Sequence, residues 1–346
     1  MKAIQKTVGE VGAQLVELEI PRIGRNEVLV QVKDAALCRS DVDVYEWTQL
    51  VQNAHYKLPF TMGHEFSGIV VEVGEDVKSI RVGDRVAGET HIPCGYCNTC
   101  RTGNQHICRN NMGVIGRSFN GCFAEYIKIP EIAAVKIPDS ISYRQGALLE
   151  PFATAMHALS KANPSGNSIA ILGMGTIGLM TVELAKFLGS TKIFVMGNNE
   201  LRVAEGKRLG ADVTINGSRE DFVEVIMRET NGVGVSSIID MTGNEEVINK
   251  SVEALKVAGT LVHVGMVPKP LTFNNYMYGV VYKELNVTGI FGRRMFETWE
   301  TVLSVLNTGR IRLDNYVGEI TELENFEQAI ADFRKVTGRI IFELSK

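Results

Sequence analysis

The sequence predicts an α/β protein of two domains, a β-rich domain followed by a doubly wound parallel sheet. In roughly the first 130 residues, segments that alternate or run apolar are separated by turns containing glycine or proline, which is typical of β-strands. From about Ser140, short apolar strands alternate with helical segments, and that alternation indicates a parallel sheet. A glycine-rich turn, Gly173 to Gly178, stands between one such strand and an amphipathic helix.

The composition is that of a soluble globular enzyme. The chain has 346 residues, 45% hydrophobic and 22% charged, with a net charge of −4. Acids and bases are interspersed, so no basic surface points to nucleic acid or to a membrane. No run has the length of a signal peptide core or a membrane span. We therefore expect a cytoplasmic protein whose partner is a small molecule.

The strands of the β-rich domain follow one another along the chain with glycines at the breaks. They are predicted in the segments KAIQKT, AQLVELEI, EVLVQVKDAAL, FSGIVVEVG, DRVAGE and CFAEYIKI. Between the last two strands lies a loop, residues 94–108, with the spacing C-x2-C-x2-C-x7-C. A reducing cytoplasm disfavours disulfides, whereas four thiolates close a tetrahedral shell. The loop predicts a structural zinc held by Cys94, Cys97, Cys100 and Cys108.

The second domain begins with a helix in RQGALLEPFATAMHALSKA, which ends before Asn163-Pro164. The strands SIAIL, TKIFVM, ADVTIN, SSIIDMTG and GTLVHVGM follow, with helices in ELRVAEGKRLG and NKSVEALKVAG. The chain closes with the helix FEQAIADFRKV and the strand GRIIFEL.

The glycine turn predicts a Rossmann dinucleotide site. Gly173 permits the sharp turn, Gly175 lets the backbone approach a pyrophosphate, and Gly178 brings the helix against the strand. The helix that opens at Thr176 and Ile177 offers unpaired N–H groups and a positive dipole end to the phosphates.

The end of the second Rossmann strand bears on the choice of cofactor. Rossmann domains that prefer NAD place an acid there, about 20 residues beyond the glycine turn. Here the strand runs into Gly197, Asn198 and Asn199, and Glu200 lies beyond its end. Arg202 is placed to reach a phosphate by a charge-assisted bond. We expect NADP to be accepted at least as well as NAD.

A second set of metal-binding residues lies outside the cysteine loop. Cys38, His64, and one or both of Glu65 and Glu150 supply soft, borderline and hard ligands. Three protein ligands with an open position are typical of catalytic zinc. Such a zinc lowers the pKa of a bound hydroxyl, so that an alcohol can pass a hydride to a nicotinamide. The sequence thus predicts two zinc ions per chain.

The chain resembles the zinc-containing medium-chain alcohol/polyol dehydrogenases over essentially its whole length. The motifs that carry the resemblance are GHEFSGIVVEVG, VGDRV, the four-cysteine loop, GCFAEY, EPFATAMHA, GMGTIGLM and GRIIFEL. It is most similar to the L-threonine 3-dehydrogenase branch, through GETHIPCGYCNTCRTGNQHICRN, GCFAEYIKIP and GIFGRRMFETW. The resemblance implies a GroES-like catalytic domain over residues 1–153 and 289–346, a Rossmann domain over 154–288, and a homo-oligomer, either dimer or tetramer.

The resemblance also implies roles for individual residues. The active site would lie in the cleft between the domains, with Ser40 as hydroxyl relay. The matching cofactor positions are Ile177, Arg202, Val264, Gly265, Met266, Ile290 and Phe291. Asp43 stands where the family has a histidine, and an aspartate is a poor proton store at pH 7. Either the relay exits through water, or Asp43 binds substrate, or Asp43 is a solvated loop residue.

The leading interpretation is a zinc-dependent NAD(P) oxidoreductase that interconverts a small secondary alcohol and a ketone, with threonine the nearest named substrate. A polyol or sugar phosphate is the alternative, with Arg39, Arg293 and Arg294 as candidate phosphate contacts, although the last two could instead form a subunit interface. His55 is a candidate pocket residue or a surface residue. A non-catalytic dinucleotide-binding protein is the hypothesis from another class, and the complete ligand set argues against it.

Overall fold

The computed structural model describes residues 1–54, 56–110 and 113–344, so His55 lies outside the described residues. The chain forms two compact units. The first unit comprises Met1–Pro151 and Arg294–Lys346, and the second comprises Phe152–Arg293. Within the described ranges, no helix is both long and apolar enough to cross a membrane.

Strands dominate the first unit and alternate with helices in the second. In chain order the strands are β1 Lys2–Lys6, β2 Gln14–Glu17, β3 Glu27–Ala36, β4 Phe60–Thr61, β5 Glu65–Val73, β6 Arg85–Gly88, β7 His91–Ile92, β8 Gly113–Val114, β9 Tyr126–Pro130, β10 Ala134–Lys136, β11 Ser168–Leu172, β12 Lys192–Gly197, β13 Val213–Asn216, β14 Val235–Asp240, β15 Leu255–His263, β16 Asn286–Gly289, β17 Val317–Thr321 and β18 Arg339–Glu343.

The α-helices are α1 Arg39–Glu46, α2 Gln49–Asn53, α3 Asn98–Arg101, α4 Tyr143–Ala147, α5 Leu149–Ala162, α6 Thr176–Phe187, α7 Glu200–Leu209, α8 Phe222–Glu229, α9 Glu245–Ala254, α10 Glu297–Asn307 and α11 Phe326–Asp332. A π-helical turn covers Met277–Val281. Short 3-10 turns cover Gln105–Ile107, Glu131–Ala133, Leu313–Tyr316 and Leu323–Asn325.

The first unit is built around strand β3. It runs antiparallel to β5, β9 and β18, in a sheet of order β10-β6-β5-β3-β18-β17. Buried aromatic side chains, among them Phe66, Phe123 and Phe342, fill its core. The strands β2, β1 and β4 form a second small sheet, and β7 pairs with β8.

The second unit is a parallel sheet of order β13-β12-β11-β14-β15-β16. The chain order of these strands reverses between β11 and β14, which is the doubly wound pattern that places ligands at the carboxyl ends of the strands. This confirms the predicted fold class.

One predicted helix ends earlier in the structure than the sequence pattern indicates. The segment NKSVEALKVAG was predicted as a helix, but α9 ends at Ala254 and β15 begins at Leu255. Leu255 pairs with Val235 of β14, so sheet pairing decides the conformation of a stretch whose apolar residues fit either element.

The glycine turn has the close packing that its spacing predicts. A Cβ atom on Gly178 would lie 2.1 Å from the carbonyl oxygen of Gly173, so only glycine lets α6 start against the end of β11. A Cβ atom on Gly175 would meet nothing within 4 Å, so that face of the turn is open to a ligand.

Candidate functional site

Three predicted metal ligands meet at one end of β3. The ligand atoms of Cys38, His64 and Glu65 all lie within 4.8 Å of one another. The strand register explains this, because Ala36, the last residue of β3, pairs with Glu65, the first residue of β5. In an antiparallel pair, the residues after one strand lie beside those before the other. Cys38 and His64 are therefore brought together by backbone pairing.

Asp41 orients two of these ligands, and sequence reasoning missed it. Cys38 is the N-cap of α1, and its N–H donates to Asp41 Oδ2 at 2.9 Å. The other oxygen, Oδ1, lies 3.3 Å from His64 Nδ1. This contact leaves the His64 Nε2 atom for a metal, in the carboxylate–histidine arrangement common around zinc. An acid at the third position of a helix that follows a ligand cysteine was the signal in the sequence.

The electrostatics of His64 reflect this contact. Burial lowers the pKa of the His64 imidazole, but the carboxylate of Asp41 and the neighbouring Cys38 raise it, and the net pKa is well above its ordinary value. Asp41 itself is 4% exposed, so water screens this interaction poorly.

Glu65 is held by a buried ion pair. Arg339 of β18 donates from Nε to Glu65 Oε2 at 2.9 Å and from Nη2 to Oε1 at 2.7 Å. The same Nη2 lies 3.7 Å from Cys38 Sγ. Burial raises the pKa of the Glu65 carboxyl, and the Arg339 guanidinium limits that rise. Arg339 is another site residue that sequence reasoning missed, because nothing in GRIIFEL distinguishes it from a surface arginine.

Glu150 lies apart from the three-residue group. It is buried in the first turn of α5, and its Oε1 accepts a hydrogen bond from Thr90 Oγ1 at 2.9 Å. Its charge acts on Glu65, where it raises the carboxyl pKa.

Ser40 and Asp43 both lie on α1, which begins immediately after Cys38. The carboxylate oxygen Oδ1 of Asp43 accepts from Arg39 Nε at 3.0 Å and Nη2 at 2.8 Å. Its side chain is 17% exposed. Asp43 is thus an ion-paired helix residue rather than a solvated loop residue. The guanidinium of Arg39 forms the other half of this ion pair.

The four cysteines of the loop converge as predicted. The Sγ atoms of Cys94 and Cys100 lie 3.9 Å apart, those of Cys97 and Cys100 lie 3.5 Å apart, and those of Cys97 and Cys108 lie 3.8 Å apart. A tetrahedral zinc with bonds of about 2.3 Å requires sulfur–sulfur separations of about 3.8 Å. These cysteines are unpaired by disulfides, so the donor set fits a structural zinc.

Thiol acidity in this loop is uneven. The backbone N–H of Cys100 lowers the pKa of the Cys97 thiol to about 6, whereas burial raises that of Cys100 to about 12. A cation among the four sulfurs would supply the positive charge that a full set of thiolates requires.

The second unit has a cavity of about 560 Å³ at the carboxyl ends of its strands. Of the predicted cofactor residues, it is lined by Gly173, Gly175, Gly197, Asn198, Asn199 and Arg202. Thr242, Asn244 and Lys250 line its other side and were missed, although SSIIDMTGN shows polar residues directly after strand β14.

The remaining predicted cofactor residues lie around this edge without lining the cavity. Thr176, Ile177 and Gly178 form the first turn of α6, and Ile290 and Phe291 follow β16. Val264, Gly265 and Met266 follow β15, and the N–H groups of the first two donate to Asp240 O at 2.9 and 3.0 Å.

The residues at the end of β12 have distinct local partners. Asn199 is the N-cap of α7, with Oδ1 accepting from the Arg202 N–H at 3.2 Å. The Glu200 carboxylate lies 2.7 Å from Arg219 Nη2 and does not line the cavity. Half-buried Arg202 does line it, and burial lowers the pKa of its guanidinium. The end of β12 therefore lines the cavity with two asparagines and Arg202, while the acids that line it, Glu220, Asp221 and Glu246, come from later segments of the chain.

The contacts of Asp41 generate a prediction for metal affinity. Asp41→Asn should weaken binding at the three-residue site about 10–100-fold, because the carboxylate orients both His64 and the backbone before Cys38. Asp43→Asn is the matched control on the same helix and should change affinity less than about threefold, since Asp43 contacts Arg39. Chelator competition for the more weakly held zinc measures both. Equal losses in the two variants would show that Asp41 has no orienting role.

Two family profiles match the chain, the alcohol dehydrogenase GroES-like domain over residues 24–139 and the zinc-binding dehydrogenase over residues 176–308. The L-threonine 3-dehydrogenase of Caldanaerobacter subterraneus subsp. tengcongensis is 40% identical over 89% of this chain and 88% of the relative. That of Bacillus subtilis is 37% identical over 95% and 94%. Among solved structures, Escherichia coli galactitol-1-phosphate dehydrogenase is similar with a TM-score of 0.89 and 26% identity, covering 99% of this chain and all of that one. The chain belongs to the zinc-containing medium-chain alcohol dehydrogenases and is an NAD(P)-dependent enzyme of that family.

Proposed function

We propose that the enzyme oxidises the secondary hydroxyl of L-threonine to a ketone and transfers the hydride to a nicotinamide dinucleotide. The carrying observation is the Cys38–His64–Glu65 group, found in a chain whose similarity to L-threonine 3-dehydrogenases extends over 89% or more of its length. The first unit supplies the metal ligands for this chemistry, and the second unit supplies the cavity for the dinucleotide.

The proposed roles of the residues follow from their contacts. A zinc ion held by Cys38, His64 and Glu65 would polarise the alcohol oxygen and lower its pKa. Asp41 fixes the orientation of His64, and Arg339 compensates the charge of Glu65. Glu150, which accepts a hydrogen bond from Thr90, is the alternative carboxylate ligand to Glu65.

Proton removal is assigned to α1. Ser40 Oγ, half-buried in the first turn of the helix that follows Cys38, would accept the proton of the substrate hydroxyl. Because the charge of Asp43 is compensated by Arg39, we assign the exit of the proton to water rather than to Asp43.

A second, structural zinc is proposed in the loop of residues 94–108, and its fit rests on the sulfur separations. Four reduced thiols are required for that site, and the six cysteines are free. This supports a reducing compartment, and hence the cytoplasm, as the working location.

A homo-oligomer is supported by an apolar surface at one edge of the Rossmann sheet. Strand β16 is the last strand of that sheet, and its Val287 is 41% exposed. In the preceding segment Tyr276, Met277, Tyr278 and Tyr282 are each more than half exposed. Monomers seldom leave such a surface uncovered beside an unpaired strand edge.

A polyol phosphate is the second candidate substrate. It is favoured by the similarity to galactitol-1-phosphate dehydrogenase, which covers 99% of this chain at 26% identity. The higher identity of the threonine dehydrogenases, 40% and 37%, ranks threonine first.

Initial rates should rank the substrates. L-threonine should give a kcat/KM at least about tenfold above those of sorbitol, ribitol, 2,3-butanediol and pentitol phosphates, because the relatives that are 40% and 37% identical to this chain are L-threonine 3-dehydrogenases. If a polyol phosphate reduces NAD(P) and threonine does not, the substrate assignment is wrong while the family stands.

The residues at the end of β12 predict which nicotinamide cofactor the enzyme accepts. Because the described residues from Gly197 to Arg202 line the cavity with no acid and with one arginine, NADP should be accepted at least as well as NAD. Arg202→Ala should lower kcat/KM for NADP about tenfold more than for NAD, at fixed ionic strength.

Introducing a carboxylate at the end of β12 should make the enzyme prefer NAD. Asn198→Asp introduces the missing carboxylate at an exposed position that lines the cavity. It is a cleaner variant than Gly197→Asp, whose Cβ would lie 3.1 Å from Met174. A hundredfold preference of the unmodified enzyme for NAD would overturn this assignment.

A further inference from the structure

We propose that Arg117 recognises an anionic substituent of the alcohol substrate beside the Cys38–His64–Glu65 group. The anion would be the carboxylate of an amino acid or the phosphate of a polyol phosphate. This inference rests on the proposed function, since it supplies the counter-charge that threonine needs. The oxidation itself requires only the hydroxyl, so Arg117 would determine specificity without taking part in hydride or proton transfer.

The backbone places the turn that carries Arg117 against Gly63, the residue before His64. A Cβ atom on Gly116 would lie 2.6 Å from the carbonyl oxygen of Gly63, the residue directly before His64. Gly116 has a φ of +73°, and its N–H donates to Phe119 O at 3.0 Å. The N–H of Arg117 donates to Val114 O at 3.2 Å. The turn is therefore a hydrogen-bonded structure packed against the backbone that precedes His64.

The guanidinium of Arg117 is half-buried and has no anionic partner in the described part of the chain. It lies over the ring of Tyr56 at 5.2 Å, and its Nη2 donates to Ala54 O at 2.6 Å. Among the described residues Ala54 alone accepts a hydrogen bond from it, although a guanidinium carries five N–H donors. An arginine held by an aromatic face with donors left over suits bidentate binding of a carboxylate or phosphate.

Tyr56 links this guanidinium to the metal site electrostatically. Burial raises the pKa of the Tyr56 hydroxyl, and the charges of Arg117 and His64 both oppose the rise. Asp41 and Asp43 act on it in the other direction. The geometric link between the two is the backbone contact of Gly116 with Gly63, and the effects on Tyr56 agree with it.

Among the described residues, the arginines that contact the metal ligands or α1, and those first considered for phosphate, are paired or buried, whereas Lys57, next to Tyr56, is exposed. Arg339 binds both oxygens of Glu65, and Arg39 binds Asp43. Of the arginines first considered for phosphate, Arg294 pairs with Glu297 at 3.1 Å, and Arg293 is 2% exposed. Of these described arginines, Arg117 is the one that is half-buried and has no carboxylate partner, so it is the one we assign to the substrate anion.

The test compares two substrates that differ at one group, a carboxylate in one and a neutral carboxamide in the other. L-threonine and L-threoninamide share the hydroxyl and the ammonium group, but the amide has no carboxylate. Steady-state kinetics of the zinc-loaded enzyme are measured for both, with the amide also assayed as a competitive inhibitor. Arg117→Gln removes the charge, Arg117→Lys keeps it without the planar fork, and Arg22→Gln is a control at an exposed arginine.

In Arg117→Gln we expect the KM for L-threonine to rise at least about tenfold, with kcat within about threefold. Threoninamide, as substrate or inhibitor, should change less than about threefold, and Arg117→Lys should lie between the wild type and Arg117→Gln. Equal losses for threonine and its amide, or no change for threonine, would overturn the inference. If the wild type oxidises a pentitol phosphate instead of threonine, the substrate proposal fails, and the same comparison of the phosphate with the free pentitol decides the role of Arg117.

Discussion

The buried ion pair between Glu65 and Arg339 ties together the three strands on which the metal site depends. Glu65 opens β5, Arg339 opens β18, and both strands pair with β3, which ends just before Cys38. The side chains of Glu65 and Arg339 are 1% and 5% exposed. Two charges without water are stable only when each satisfies the other, and removing one partner of such a pair typically costs about 3–5 kcal/mol. The position of Glu65 beside Cys38 and His64 is therefore coupled to the closing strand of the chain.

The same region concentrates acidic groups. The thiol of Cys38 and the carboxyls of Asp41, Glu65 and Glu150 belong to one electrostatic neighbourhood, in which His64 and Arg339 are the basic groups. A divalent cation relieves this imbalance better than any further side chain, because it is compact and binds several donors at once. The charges of these donor groups therefore favour the binding of a divalent metal ion.

The fold class and the three metal ligands beside β3 could be predicted from the sequence, but not all of the residues that hold these ligands in place. Local signals were sufficient to predict the packing of the glycine turn and the convergence of the four cysteines, because each lies within one short segment. Asp41 also had a local signal, its position in the helix after Cys38, whereas Arg339 was not predictable in this way. Arg339 acts across a sheet on a residue far away in the chain, and strand register is decided by pairing rather than by composition. The boundary between α9 and β15 moved for the same reason: Leu255 gains a partner in β14.

The central claim is that one chain holds two zinc ions with different donors: four sulfurs in the loop, and one sulfur with nitrogen and oxygen ligands beside β3. Zinc X-ray absorption combined with elemental analysis tests this directly. The account predicts two zinc ions per chain and an average of about 2.5 sulfur ligands per zinc, at about 2.3 Å. In Cys38→Ser the average should fall to about 2 when both zinc ions stay bound, or rise to about 4, with one zinc per chain, when only the loop zinc is retained. A single zinc per chain in active enzyme, or two sites with equal sulfur content, would contradict the account.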